Sequence, residues 1–444
     1  MRVVLLSPKG PLYRNRGGIF KKSLRYQPLT LTTLASLAPA DMDIDFRIFD
    51  EGIGDIPEKI DADLVGITVI TGTAPRAYEV AARLRGQGIP VVLGGPHVTL
   101  IPSEAAQHAD AICVGYAEKS WPQLLRDFAA GQMKKRYDQG PNFRLDELVI
   151  PRRDLLDRRK YITSAVFEAT RTCAHACEFC VAPAAWGRHQ FQKPVENVVA
   201  DIRSVGQHRN IFLDLNLISD RAYAIELFAA LIPLRIRWFG LVTTRIGRDP
   251  ELAELMARSG CSGVLIGFES ISKASLGSMQ KKFNQPENYV ALIDNLHRLG
   301  ICIYGCFVFG LDTDDTNIFD ETARFVVDAG IDLPRFAIST PFPGTPLHHR
   351  LEREERILTR NWELYDGQHV VFQPKNMTVA ELQEGHVRAW RNVYSRSSIF
   401  KRLARSRTQL PLAVIINLGY RFYARHLDTH YTCDWAIGWR PKAA

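Results

Sequence analysis

Cys173-Ala174-His175-Ala176-Cys177-Glu178-Phe179-Cys180 places three thiols at C-x3-C-x2-C spacing, with an aromatic ring just before the third. The run follows Val166-Phe167-Glu168-Ala169-Thr170, whose composition predicts a short strand, so the loop hangs from a strand end. Three thiolates can hold three irons of a 4Fe-4S cluster and leave the fourth iron open to a ligand. The four-cysteine ferredoxin run differs, because it is closed and only carries electrons. A zinc site would want paired C-x2-C knuckles and a fourth ligand nearby, and both are missing. His175 could join the thiols on zinc, but cluster geometry would point a residue inside so short a loop outward. Ordinary core cysteines are the remaining alternative. They are usually scattered, whereas here three of the chain's eight fall within eight residues.

Outward from this loop, strand and helix patterns alternate. Residues 210–216 form a strand pattern with a polar end. Residues 237–242 run into Thr243-Thr244-Arg245, and residues 263–267 into Phe268-Glu269-Ser270. Residues 303–309 run into Gly310-Leu311-Asp312, and 336–338 into Ser339-Thr340-Pro341. Helical spacing occupies 252–257, 289–299 and 319–327 between them. With the strand before the cysteines, this predicts six βα units over residues 161–350, a partial (β/α)6 barrel. Its chemistry belongs at the strand carboxyl ends, where the cysteine loop and these polar residues all fall.

The cysteine stretch resembles the cluster loop of the radical S-adenosylmethionine (SAM) enzymes. The resemblance implies that Cys173, Cys177 and Cys180 hold the cluster, beside Phe179, and that the open iron chelates the amino and carboxylate groups of SAM. An electron from a flavodoxin- or ferredoxin-type donor would then cleave SAM to a 5′-deoxyadenosyl radical, which abstracts hydrogen from the substrate. It also implies Asp214 and Asn216 near the SAM amino end, Glu269 as a fourth-strand SAM contact and Arg245 as a partner for the SAM carboxylate. For each of these single residues, a structural hydrogen bond or ion pair at the barrel rim is the competing reading. Lys273 and Lys282 read equally as solvated helix positions. Cys261, Cys302 and Cys306 read as core residues rather than a second cluster.

Residues 1–130 alternate in the same way. Strand patterns at 3–6, 44–49, 64–69, 91–93 and 111–114 are interleaved with helical spacing at 29–37, 77–84 and 121–128. This predicts a doubly wound, Rossmann-like parallel sheet with its ligand at the strand carboxyl ends. Thr68, Thr71, Gly94, Gly95 and Gly115 all fall there, and glycine lets backbone approach a bulky ligand closely. No GxGxxG follows the first strand, which argues against a dinucleotide. Gly94-Gly95-Pro96-His97-Val98-Thr99 and Gly115-Tyr116-Ala117-Glu118 instead resemble the cobalamin-binding domain that precedes many radical SAM barrels. The resemblance implies cobalamin contacts from Thr68, Thr71, Gly94, Gly95, His97, Gly115 and Glu118. Tyr116 stands where that family usually has Glu. The Asp-x-His-x-x-Gly motif is absent, which implies cobalt without a histidine below it. His97 reads either as a cobalamin contact or as a loop histidine capping a helix. Residues 131–160, rich in charge, Pro and Gly, read as a linker.

Thr340-Pro341-Phe342-Pro343-Gly344-Thr345-Pro346-Leu347 predicts a rigid turn closing the barrel. It resembles the same subfamily's PGT segment, as do Trp362, Tyr365-Asp366 and His369-Val370-Val371-Phe372. The region 351–444 is mainly helical by pattern. No acid lies between Arg396 and Thr408, where Arg396, Lys401, Arg402, Arg405 and Arg407 cluster, and an apolar run follows at 410–418. This reads either as an interfacial helix in peripheral contact with a membrane or as a core helix docked with a solvated basic face. The region resembles the tails of radical SAM enzymes acting on hopanoids and of anaerobic tetrapyrrole cyclases, which implies a small-molecule or lipid-like substrate.

The remaining composition agrees. A 444-residue chain predicts two or three domains, and 46% hydrophobic with 23% charged residues is ordinary for globular protein. The net charge of +8 has no basic block interleaved with aromatics, so a nucleic-acid partner is not expected. The short apolar start at residues 1–6 is a strand rather than a signal peptide, and the cysteines form no secreted disulfide framework. Both point to the cytoplasm, with membrane association as the variant. Cobalamin beside a SAM cluster implies methyl transfer to an unactivated carbon of a hydrophobic or secondary-metabolite substrate. The alternatives are an oxidative cyclase or ring-rearranging enzyme, with or without cobalamin, and a non-catalytic sensor.

Overall fold

The computed structural model describes residues 1–10 and 23–427. Val3, Val4, Leu5 and Leu6 are all buried, as a strand covered on both faces requires, and they form β1 (Arg2–Ser7). β2 (Asp45–Asp50), β3 (Leu64–Thr68), β4 (Val91–Gly94), β5 (Ala111–Gly115) and β6 (Arg136–Gln139) complete a parallel sheet of order β2-β1-β3-β4-β5-β6. The chain leaves β1 on one side and returns on the other. The switch point therefore lies between β1 and β3, and a crevice opens at their carboxyl ends. Trp121, Leu124 and Leu125 cover one face of the sheet, and Ala77, Val80 and Leu84 cover the other.

β6 lies inside the segment expected as a linker. Arg-Tyr-Asp-Gln carries little strand signal, but an edge strand needs only one buried face, and Tyr137 and Gln139 supply it. Gly115 admits this strand: its φ is +84°, and a Cβ there would stand 2.2 Å from the Gln139 carbonyl oxygen. The same segment ties into the next domain. Buried Arg153 holds Asp201 at 2.6 Å and donates to the Val166 carbonyl at 2.6 Å.

β7 (Val166–Phe167), β8 (Arg209–Phe212), β9 (Arg237–Val242), β10 (Cys261–Glu269), β11 (Cys302–Phe309) and β12 (Leu333–Ile338) follow in sequential order, all parallel. This is the partial barrel, with helices outside. The first strand is shorter than its pattern. Thr170–Arg171 breaks away to pair antiparallel with Phe191–Gln192, and the cysteine loop sits in the hairpin so formed. β8 likewise stops at Phe212, leaving residues 213–216 as loop.

After the barrel, Trp362, Leu364, Tyr365 and Val371 return to the core of the first domain. The chain then forms helices Val379–Val393, Arg396–Ser406 and Leu410–Arg425. The first opens with a capping box between Thr378 and Glu381. The basic run is not a uniformly solvated face. Arg402 is fully buried and donates to the Ile331, Asp332 and Val393 carbonyls and to Asn417 Oδ1. The last helix buries Ala413, Asn417 and Ala424, while Ile415, Leu418 and Phe422 stay exposed, so its outer face is apolar. Among the described residues, no helix is long and apolar enough to cross a membrane. Residues 11–22 of the first region and 428–444 of the last lie outside the described residues.

Candidate active site between the two sheets

The carboxyl ends of the two sheets face one cavity of about 460 Å³. Thr68, Gly94, Gly95, Gly115 and Glu118 line it from the first domain, and Thr170, Arg171, Thr172, Leu213 and Leu215 from the barrel. At Gly95, φ is +108° and a Cβ would meet the Val69 carbonyl oxygen at 2.8 Å, so the turn there is open only to glycine. Leu29, Leu34 and Leu37 add apolar wall. Cys173, Cys177, Cys180, Phe179, Asp214, Asn216, Arg245 and Glu269 do not line this cavity, and neither do two of the expected cobalamin contacts, Thr71 and His97. His97 is fully buried behind it, with Nδ1 3.3 Å from the Thr71 hydroxyl and Nε2 3.3 Å from Glu104. Glu104 also accepts from the Tyr78 hydroxyl at 2.9 Å and from Trp362 Nε1 at 3.0 Å. Thr71 and His97 thus belong to a polar network joining the first domain to the returning C-terminal segment.

Glu118 faces the cavity but is engaged. It pairs with Arg171, which also holds Glu168 at 2.8 Å, and Lys193 reaches Glu168 at 3.2 Å. Burial would raise the Glu168 carboxyl, yet Arg171 and Lys193 override it and hold it down at about 2. This network crosses from one domain to the other two residues before Cys173. Tyr116 makes a parallel bridge: its hydroxyl donates to the Trp186 carbonyl at 2.9 Å, and its ring meets Phe191 edge-on at 5.3 Å.

The cysteine loop is pinned at several points. Thr172 has φ +70°, and its hydroxyl donates to the His189 carbonyl. The Glu178 amide donates to the Met279 carbonyl at 3.2 Å, and the Glu178 carboxylate accepts from Arg350 at 2.7 Å. Phe179 packs on the barrel core. The three thiols act on one another electrostatically, while burial dominates and pushes Cys177 up to about 11. They do not converge on a point. Among the described residues, only His348, His349 and Glu352 bring three ligand atoms within 4.8 Å of one another. His175 turns aside to stack on Phe283 at 4.2 Å, and burial, with Arg245 and Lys281 nearby, lowers it to about 4. Arg245 is exposed, with its guanidinium 5.6 Å from the same Phe283 ring.

Glu269 closes β10 beyond a bulge between Gly267 and Glu269, and its φ is +64°. That backbone carries its carboxylate back over Gly267 to Lys281, whose Nζ lies 2.5 Å from Oε1. Glu269 Oε2 has no partner among the described residues. Lys281 is the residue that sequence reading missed. Its neighbour Lys282 is exposed, and Lys273 pairs at the surface with Glu287 at 2.8 Å. Asp214 spends both oxygens on the Ala169 amide at 3.1 Å and the Thr170 amide. Asn216 turns on itself, donating to the Ser219 hydroxyl at 2.9 Å. Both stabilise the approach to the cysteine loop.

Comparison with known proteins agrees with this geometry. A B12 binding domain matches residues 24–125, the Radical SAM superfamily matches 167–326, and a domain of unknown function, DUF4070, matches 345–439. Bacteriochlorophyllide d C-12(1)-methyltransferase of Chlorobaculum tepidum is 33% identical over 85% of this chain and 84% of its own length. The chain belongs to the cobalamin-dependent radical SAM methyltransferases. Bacteriochlorophyllide d C-8(2)-methyltransferase of the same organism is 31% identical over 84% of this chain and 87% of its own. The radical SAM methyltransferase TsrM of Kitasatospora setae, solved with cobalamin and a 4Fe-4S cluster, shares the fold at TM-score 0.67 and 17% identity, covering 80% of this chain and 78% of that one.

Membership in this family implies a 4Fe-4S cluster, SAM and cobalamin, and the residues present fit all three. Cys173 and Cys180 lie close enough to Cys177 to act on it electrostatically, as thiols that share one cluster must. Glu269 bonds Lys281 through Oε1 alone, so its Oε2 would be left to accept from a SAM hydroxyl or ammonium. Gly94, Gly95 and Gly115 line the cavity without side chains, which leaves room along that wall for a large cofactor.

Proposed function

We propose that this enzyme transfers a methyl group to an unactivated carbon of a hydrophobic, tetrapyrrole-type substrate. The observation that carries the reading is the shared cavity: one wall is the glycine-lined end of the first sheet, and the other is the chain entering the cysteine loop. When bound, cobalamin supplies the methyl group, and the cluster with SAM supplies a one-electron route to a substrate radical. Cys173, Cys177 and Cys180 are the iron ligands on this reading. Lys281 offsets the negative charge of the thiolates and fixes the Glu269 carboxylate, whose free oxygen orients SAM. Arg245, exposed beside Phe283, pairs with the SAM carboxylate on this reading. Thr68, Gly94, Gly95 and Gly115 cradle cobalamin, and Leu213, Leu215, Leu29 and Leu34 exclude water.

Two relatives named as bacteriochlorophyllide methyltransferases support the tetrapyrrole class. The apolar outer face of the last helix, beside Arg421 and Arg425, supports peripheral contact with an anionic lipid surface. The test is anaerobic reconstitution with iron, sulfide, cobalamin, SAM and a one-electron donor, followed by mass analysis with a bacteriochlorophyllide. The expected product is heavier by one methyl unit. Deoxyadenosine formed alongside an oxidised product of unchanged carbon count would replace methylation with cyclisation.

A further inference from the structure

The barrel sheet shows two different faces. Phe307, Phe309 and Phe336 point outward, where Phe309 meets Phe319 at 4.9 Å and Phe336 meets Trp390 at 5.8 Å. Alternation along the strands therefore turns Tyr304, Cys306 and Arg335 inward. Arg335 lies in register with Cys306 on the neighbouring strand. It is only partly exposed, and its guanidinium has no hydrogen bond or ion pair to any described residue. Three other sequestered arginines are engaged: Arg153 holds Asp201, Arg356 holds Asp312 at 2.8 Å, and Arg402 is bonded to carbonyls and an amide.

A guanidinium is a planar fork of five donors, and withdrawing it from water without an acceptor is costly. The titratable groups that bear most on Arg335 are Tyr304, Cys306, Tyr420 and Tyr423, and none is a carboxylate. The Tyr304 and Tyr420 hydroxyls meet at 2.5 Å, which brings the last helix against this side of the sheet. Cys306 also feels the charges of Glu269 and Lys281, and those two act in turn on Cys177. The guanidinium therefore stands on the inner face of the barrel, two strands from Glu269, whose ion pair with Lys281 lies beside the cluster thiols. A planar fork flanked by phenol hydroxyls is complementary to a carboxylate.

We propose that Arg335, with Tyr304 and Tyr420, anchors a carboxylate of the substrate inside the barrel. The inference rests on the methyltransferase reading above and narrows it: the substrate is a hydrophobic molecule bearing a free carboxylate rather than a neutral lipid. The anchor holds one end of the molecule while the reacting carbon faces the cavity between the sheets.

Two acid and ester pairs test this on the reconstituted holoenzyme by fluorescence titration: a chlorin with a free propionate against its methyl ester, and 1-pyrenebutyrate against its methyl ester. Wild type is expected to bind each acid at least tenfold more tightly than its ester, and Arg335→Met is expected to erase the preference. Because the guanidinium has no partner among the described residues, Arg335→Met is also expected to keep or raise the Tm, whereas a structural arginine would lower it. Absence of acid preference in wild type, or its persistence in Arg335→Met, overturns the anchor. Preference for pyrenebutyrate alone, lost in the variant, keeps the anchor and overturns the tetrapyrrole reading. SAM affinity is measured in parallel. A fall in SAM affinity with acid preference intact gives the guanidinium to SAM and overturns the proposal.

Discussion

Lys281 Nζ lies 2.5 Å from Glu269 Oε1, and each side chain is only 9% exposed. A buried pair of this kind adds little net stability over apolar packing, but removing one partner strands the other charge at a cost of about 3–5 kcal/mol. Lys281→Met is therefore expected to lose about that much in urea unfolding. Lys281→Met with Glu269→Gln should recover most of the loss, because no charge is left buried. Equal stability of the single and double variants would show that the pair is not coupled.

Gly267 is the space in which that pair sits. A Cβ there would lie 2.2 Å from Glu269 Oε1 and 2.9 Å from Lys281 Nζ. Gly267→Ala should displace the carboxylate while leaving the three cysteines in place. Iron and sulfide content after reconstitution should match wild type, and deoxyadenosine formation from SAM should fall at least tenfold. Unchanged deoxyadenosine formation would remove Glu269 from the SAM site.

Much of this architecture was legible in the sequence because it is written in periodicity. The six barrel strands, the cysteine loop and the parallel first sheet each follow from apolar runs and their polar ends. What was not legible depends on distant partners. Lys281 differs from its neighbour Lys282 only through the bulge at Glu269, a backbone event with no residue signature. Arg402 sits in a basic run that reads as solvated, and only the carbonyls around Ile331 and Asp332 make it a core residue. His97 occupies a glycine-rich loop that suggests a ligand, yet Glu104 and Thr71 take both of its nitrogens. Asp214 and Asn216 end a strand pattern as site residues do, but nearby chain claims their polar atoms. β6 was hidden because an edge strand needs no apolar run.

Arg171 joins the domains by holding Glu118 on one side and Glu168 on the other. Arg171→Met leaves two carboxylates facing each other beside the cavity, with Lys193 on only one. Cobalamin retention through gel filtration is expected to drop several-fold, read from the ratio of corrin to protein absorbance. Arg171→Lys should restore part of it, since charge returns without the fork. Full retention in Arg171→Met would mean that the bridge does not shape the cofactor cavity.

His97 is walled off from the cavity with both ring nitrogens hydrogen-bonded. Incorporation of 15N-histidine is therefore expected to leave the cobalt EPR spectrum of the loaded enzyme unchanged. His97→Ala should lower stability by about 1–3 kcal/mol, because Glu104 and Thr71 lose a buried partner. A 15N-dependent change in the spectrum would move His97 into the cobalt site.

Asp214 carries the sharpest pH signature. Burial is the largest influence on it and outweighs the hydrogen bonds from Thr170 and Ala169, so its carboxyl is raised to about 6. In the unfolded chain it titrates near pH 4. Between these values the native state holds a proton that the unfolded state has released, so this group's contribution falls as pH rises. It is fully present below about pH 4 and lost above about pH 6, a span of about 3 kcal/mol. Glu168 works in the opposite sense and in a lower window. Held down at about 2, its contribution is complete above about pH 4.5 and is lost as pH falls through about 2. Asp214→Asn removes the titration at the price of one unmet backbone amide. The variant should be less stable than wild type at pH 4, and the gap should narrow by about 3 kcal/mol by pH 7 in paired urea titrations. A gap that stays constant across that range would mean the Asp214 carboxyl is ionised throughout and does not hold the chain before the cysteines as a buried acid.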